Sequence, residues 1–190
     1  MKILLIWSQA RHAFVFAFLI TLLLASCNSP NDYTKEIVLL DSASAKLKEA
    51  EKAILNLDTI SLKSSYSFST NTLQSISEKI AHDTLNKTTA VVLNNAFEQT
   101  KNLQNLFDNK KFLSKALLEG YKRIDNLKHD LQNDLIEKKL SEGYIKNEIN
   151  SSEKLNDLVT TSITKAKTAV IKLDSLKTEI TSLADSLGSK

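Results

Sequence analysis

From about residue 33 onward, apolar residues recur at alternating intervals of three and four. Charged and polar residues fill most of the positions between them, so each such segment has one apolar face. This heptad spacing is typical of helices that pack along a shared apolar stripe in bundles and coiled coils. It predicts a first long helix over about residues 33–62, whose stripe is Leu40, Ala43, Leu47, Ala50, Ile54 and Leu57.

A second helix is predicted after a serine-rich turn at Ser64–Ser69, because serine side chains bond nearby backbone groups outside helices. Thr70 or Asn71 can cap this helix. The polar residues Asn86–Thr89 interrupt its stripe, which leaves open one bent helix or two consecutive helices. Asp108–Asn109 predicts the next boundary. The stripe residues of this segment are Leu73, Ile76, Ile80, Val92, Ala96, Leu103 and Leu106.

A third helix is predicted over about Leu113–Leu131, with Gly120 in its stripe, where a glycine allows a neighbouring helix to approach closely. It is expected to end at Lys138–Leu140, and Ser141 is expected to cap a last helix over Glu142–Leu187. The stripe of the last helix contains Leu155, Val159, Ala166, Ala169, Leu173, Leu176, Ile180, Leu183 and Leu187.

Helices of this length are stable when other helices cover their stripes, as in bundles. The sequence therefore predicts an all-α fold, an elongated antiparallel bundle of about four long helices with coiled-coil-like stripes. An even number of helices would return the C-terminus to the end of the bundle at which the chain enters.

Composition excludes several classes of protein. The 190 residues include one Cys, one Pro and three Gly, so a disulfide, a cysteine-based zinc site, a glycine-rich phosphate loop and a turn-rich β-sandwich are not expected. Beyond residue 26 the chain carries 23 basic and 22 acidic side chains, a net charge of +1, and Arg123 is its only arginine. Nucleic acid is not an expected partner, because proteins that bind it use clustered Arg and Lys side chains.

The N-terminus differs from the rest of the chain. Lys2, Arg11 and His12 precede thirteen residues, 13–25, in which Thr21 is the only polar one. A basic start followed by an apolar core of this length is typical of a secretory signal peptide. An uncleaved membrane anchor is the alternative, but the run falls short of the roughly 20 apolar residues that a span requires.

Leu24-Ala25-Ser26-Cys27 resembles the lipobox of bacterial lipoproteins at all four positions. The resemblance implies cleavage after Ser26 and a diacylglycerol and fatty acids such as palmitate on Cys27. The domains are then a signal peptide at 1–26, a lipidated tether at 27–32 and a helical domain at 33–190. Asn28 favours the outer membrane under the lipoprotein sorting rule, in which Asp at this position retains the protein in the inner membrane. The Asn- and Lys-rich composition resembles that of Bacteroidota proteins.

Two carboxylate–imidazole pairs are candidate metal ligands. They are Glu78 with His82 and Asp125 with His129, and an aspartate follows each histidine (Asp83 and Asp130). Each histidine comes two residues after a stripe residue and is therefore rotated about 200° around its helix from the stripe. The pairs are interpreted as solvated, and no metal and no cofactor are expected. The chain also has no recognisable nucleophile motif, so no enzyme activity is expected.

The favoured function is a membrane-anchored envelope lipoprotein with a structural or protein-interaction domain; the alternative is a module that binds a lipid or other apolar ligand in the bundle interior. The expected partners are the membrane, through Cys27, and an envelope protein. Pairing with a second copy of the chain is left open. Aromatic residues near the predicted turns suggest a contact surface at the bundle ends, or caps over those ends. They are Tyr66, Phe68, Phe107 and Phe112.

Overall fold

A computed structural model of the chain describes residues 32–80 and 86–188. These ranges contain four helices and no strand. The helices are α1 (Thr34–Leu55), α2 (Thr59–Ile80), α3 (Lys87–Gln132) and α4 (Lys138–Gly188). The predicted all-α helical bundle is therefore confirmed. The predicted signal peptide and the residues of the tether up to 31 lie outside the described ranges, and so do His82 and Asp83.

The four helices pack as three rods, because α1 and α2 follow one another along the same side of α3 and α4. Within the described ranges α1 and α2 make no contact with each other, and each packs against both long helices. Lys128 of α3 contacts Asp41 near the start of α1, so α1 and α3 are antiparallel. α3 and α4 are joined by a short connection and are antiparallel, with Arg123 beside Glu148. α1 is therefore parallel to α4, and Lys46 of α1 contacts Glu153 of α4.

The second rod segment, α2, continues in the same direction as α1. Near its end the Lys79 ammonium donates a hydrogen bond to the Ala184 carbonyl oxygen at 3.0 Å, close to the end of α4. The C-terminus of α4 therefore lies at the opposite end of the helical unit from Thr34. The expected return of the C-terminus was wrong, because the break between α1 and α2 interrupts the rod without reversing the chain.

The first break lies earlier than the sequence predicted. α1 ends at Leu55. Asp58 directly precedes α2 and caps it, because its Oδ1 accepts hydrogen bonds from the backbone N–H groups of Ile60 (3.2 Å) and Ser61 (3.0 Å). The predicted turn at Ser64–Ser69 is wrong, since this run lies inside α2. The Ser69 hydroxyl does bond locally, but it donates to the Tyr66 carbonyl oxygen, which a helical backbone allows.

The polar interruption at Asn86–Thr89 proves to be a helix start. The Asn86 side chain accepts a hydrogen bond from the Thr89 N–H at 2.9 Å and caps α3, so α2 and α3 are separate helices. The predicted boundary at Asp108–Asn109 is wrong. Asn109 donates its side-chain N–H to the Asn105 carbonyl oxygen at 2.8 Å, which satisfies the amide without a break in α3.

The last turn is also shifted relative to the prediction. α3 ends at Gln132, and Asp134 takes the left-handed conformation with φ of 51°. Lys138–Leu140 begins α4 and does not end the third helix. Ser141 is inside the first turn of α4, where its buried hydroxyl donates to the Lys138 carbonyl oxygen at 2.8 Å.

The apolar stripes of the helices form the core, largely as predicted. The stripe of α3 begins at Leu93, which is buried, whereas the predicted Val92 is only half-buried. Gly120 is buried, and a Cβ atom at this position would lie 2.9 Å from the Leu47 Cδ1 atom. The predicted close approach at Gly120 is therefore present, between α3 and α1. Residues with essentially no exposed surface include Leu40, Leu47, Leu103, Leu117, Ile124, Val159, Ala166 and Ile180.

Candidate functional site

The residues predicted to carry the lipid and the cleavage site, Cys27 and Ser26, lie outside the described ranges. Among the described residues, no helix is both long enough and apolar enough to cross a membrane. The prediction of a lipid anchor therefore stays a prediction that depends on residues 24–27.

The carboxylates of the two candidate pairs lie on different helices, Glu78 near the end of α2 and Asp125 near the end of α3. His129 is exposed on α3, and its Nδ1 lies 3.4 Å from the Asp130 Oδ1. Glu78 accepts a hydrogen bond from the Gln74 amide at 3.0 Å. Nowhere in residues 32–80 and 86–188 do three His, Cys, Asp or Glu side chains converge as a metal site would require. His82 and Asp83 lie outside these ranges.

The aromatic residues near the predicted turns lie along the rods instead. Tyr66 and Phe107 pack edge to face, with ring centroids 5.5 Å apart and an interplanar angle of 73°. The Lys177 ammonium lies 5.0 Å from the centre of the Phe68 ring. The proposed aromatic contact surface at the bundle ends was wrong, and so was the alternative of end caps, because both predicted turns lie inside helices.

A concave site does exist between α3 and the first turns of α4, and we call it the α3–α4 groove. Its volume is about 480 Å³, within the range of small-molecule sites. Three residues supply its apolar surface: Leu127 from α3, Ile136 from the connection between the helices and Tyr144 from α4. Its polar lining comes from Asn126, Asn147 and Ser151 and from the charged Arg123, Asp130 and Glu148.

An ion pair spans the groove and holds its two walls together. The Arg123 Nε donates to both carboxylate oxygens of Glu148 at 3.1 Å. Only 13% of the Glu148 side chain is exposed, against 48% of the Arg123 side chain. A charge-assisted contact with a partly buried carboxylate is stronger than a surface ion pair. With Asp130, the groove has one basic and two acidic side chains, and so a net charge of −1.

The polar groups of the groove remain available to a ligand. The side chains of Asn126, Tyr144, Asn147 and Ser151 make no hydrogen bond to any other residue of the described ranges. Tyr144 is 52% exposed, although its ring lines the groove. Ser151 has no histidine or lysine partner in these ranges that could activate its hydroxyl. The arrangement can therefore bind a ligand by stacking and hydrogen bonding.

Two further polar contacts join α1 to α3, and each raises the pKa of the α3 side chain that takes part in it. Partial burial, followed by the charge and hydrogen bond of Glu51, raises the pKa of the Tyr121 hydroxyl, which donates to the Glu51 Oε2 at 3.3 Å. A hydrogen bond to Asp41, with a nitrogen–oxygen distance of 2.6 Å, raises the pKa of the Lys128 ammonium. Each pair fixes α1 against α3, and neither lies in the groove.

Sequence reasoning did not find the groove. In the sequence, Arg123 stands out only as the single arginine beyond residue 26, and Asp130 only as the neighbour of His129. The groove depends on the antiparallel register of α3 and α4, which brings Arg123 beside Glu148, 25 residues later in the chain. Comparison of the chain with protein families, curated proteins and solved structures gave no match.

Proposed function

We propose that this protein is a cell-envelope lipoprotein, anchored in the outer membrane by acyl chains on Cys27, whose helical unit has a structural or protein-interaction role without catalysis. The observation that carries the proposal is the sequence Leu24-Ala25-Ser26-Cys27 at the end of the apolar run 13–25. Each buried methylene of an acyl chain contributes about 0.8 kcal/mol of membrane affinity, so two or three chains hold a protein at the membrane stably.

The order of the helices suggests what such an anchor would present. Seven peptide steps separate Cys27 from Thr34 and reach at most about 25 Å. The Thr34 end of the helical unit would then be the end nearest the membrane. α4 has 51 residues and a length of about 75 Å, and its C-terminal end lies at the far end of the unit. A rod with this polarity suits a spacer, or a protein that presents a contact surface at a distance from the membrane.

The alternative function, an apolar ligand in the bundle interior, has weaker support. Stripe residues such as Leu103, Leu117 and Leu173 are at most 2% exposed, which favours a packed interior over a ligand cavity. Lipid extraction of the purified protein, followed by mass spectrometry, tests this alternative. A stoichiometric lipid that is not covalently attached would favour it.

The anchor is tested by a Cys27→Ala variant with an Asn28→Ala control. Cells are labelled with an alkyne analogue of palmitate, and the label on the protein is read on a gel. We expect the label on the wild-type chain and on Asn28→Ala, and complete loss of it in Cys27→Ala. Membrane fractionation should place the Cys27→Ala chain in the soluble fraction if the signal is still processed. A label that persists in Cys27→Ala contradicts the proposal.

Sorting to the outer membrane is tested separately with Asn28→Asp. If the sorting rule applies in the host, this variant stays labelled but moves to the inner-membrane fraction on a sucrose gradient. If the wild-type chain is labelled but sediments with the inner membrane, the result supports the lipid anchor and contradicts the outer-membrane location.

A further inference from the structure

The α3–α4 groove places an exposed aromatic ring beside planar polar side chains. The ring belongs to Tyr144, and the amides of Asn126 and Asn147 line the same groove. Aromatic rings stack on the C–H faces of sugar rings, and amides and carboxylates form paired hydrogen bonds with neighbouring sugar hydroxyls. We propose that the α3–α4 groove binds a neutral carbohydrate chain, with the Tyr144 ring as the stacking surface.

The charges of the groove favour a neutral ligand. Arg123 is its only basic side chain, and both oxygens of Glu148 accept the hydrogen bond from its Nε. Asp130 adds a negative charge, so a phosphate or a nucleic acid would meet a net charge of −1. An ion that displaced Arg123 would also leave the mostly buried Glu148 carboxylate unpaired, which is costly.

The remaining hydrogen-bonding capacity matches hydroxyl groups, which both donate and accept. The Asn126 and Asn147 amides each offer two N–H donors and one carbonyl oxygen. The terminal amino groups of Arg123 have no hydrogen bond to another described residue, and each oxygen of Glu148 retains a lone pair after the contact with Arg123. A purely apolar ligand would bury these groups without partners, and each unsatisfied group would weaken its binding.

The shape of the groove suits a segment of a longer chain. Its volume of about 480 Å³ gives room for a short oligosaccharide, and the half-exposed Tyr144 shows that one side is open to solvent. A ligand that lies in an open groove keeps part of its hydration and is held weakly. We therefore expect weak but saturable binding of a tetrasaccharide.

The test uses the full chain purified in lauryldimethylamine oxide, a detergent without a sugar headgroup. Four neutral tetrasaccharides, built from glucose, galactose, mannose and N-acetylglucosamine, are titrated by isothermal calorimetry. Inorganic phosphate and tetralysine serve as charged comparison probes. The variants are Tyr144→Ala and the conservative Tyr144→Phe. Phe97→Ala, at an exposed aromatic residue of α3 outside the groove, is the control. Circular dichroism verifies that each variant is folded.

The expected result is saturable binding of at least one tetrasaccharide. Tyr144→Ala should weaken it at least about tenfold, while Tyr144→Phe and Phe97→Ala should change it less than about threefold. A further variant, Asn147→Ala, should also weaken binding, because its amide is one of the groups that hold the sugar hydroxyls. Failure of all four tetrasaccharides to bind overturns the proposal. Binding that survives Tyr144→Ala, or tighter binding of phosphate or tetralysine, overturns it as well.

Discussion

Replacing Gly120 with alanine tests the close approach of α1 to α3. Gly120 lies in α3 and Gly143 lies in α4. Replacing either glycine with alanine would raise the helix propensity of the chain at that position. The gain is about 1 kcal/mol for glycine to alanine in a helix interior. A Cβ at Gly143 would have no atom within 4 Å, so Gly143→Ala serves as the matched control.

The two sites differ in what the new methyl group would meet. At Gly120 it would lie 2.9 Å from the Leu47 Cδ1 and 3.6 Å from the Leu155 Cδ2. Leu47 has no exposed surface, so its side chain can move only against packed neighbours. Adding a methyl group to a packed core costs about 1–3 kcal/mol. Subtracting the gain in helix propensity leaves Gly120→Ala destabilised by about 1 kcal/mol, while Gly143→Ala is stabilised by about 1 kcal/mol.

Thermal unfolding followed by circular dichroism at 222 nm measures both variants. For a chain of this size, 1 kcal/mol corresponds to a shift in Tm of about 2–4 °C. Tm should rise for Gly143→Ala and fall for Gly120→Ala. The double variant Gly120→Ala/Leu47→Ala should be destabilised by less than the sum of the two single effects. The new methyl group at position 120 would fill part of the space that the leucine side chain vacates. A Gly120→Ala variant as stable as Gly143→Ala would refute the close approach.

Two further predictions concern the core and the polar pair between α1 and α3. Leu173→Asp should lower the free energy of unfolding by several kcal/mol, because Leu173 is 2% exposed. Ile171→Asp, at a position that is 71% exposed, should change it by less than about 0.5 kcal/mol. Urea unfolding measures both variants, and equal effects would contradict the assigned stripe. The raised pKa of Tyr121 means that the unfolded chain loses this proton first as the pH rises, so the stabilisation by the neutral hydroxyl beside Glu51 is complete below about pH 10 and is lost above it. Wild-type stability should therefore fall more steeply than that of Tyr121→Phe above pH 10, and parallel curves would contradict this assignment.

The positions of the helix breaks show where sequence reasoning was insufficient. The serine run 64–69 and the capping residue Asp58 are both local signals of about 1 kcal/mol. Burial of Leu62 and Leu73 against α3 and α4 contributes more free energy of folding than these local signals do. This burial keeps the serine run helical. The apolar spacing did not reveal the true break, because Ile60 follows Leu57 at a regular interval of three. Only the structure shows that Ile60 is 83% exposed and that the next buried residue is Leu62.

By itself, the sequence determined the all-α class, the apolar stripes and the close approach at Gly120. It also supports the lipobox hypothesis at Cys27. These features depend on the identities and spacing of residues within one segment, and heptad spacing expresses burial directly. The tertiary structure decided that the four helices form three rods and that the C-terminus lies opposite Thr34. It also decided that Arg123, Tyr144 and Glu148 share a groove, because the register between α3 and α4 depends on how two stripes fit together.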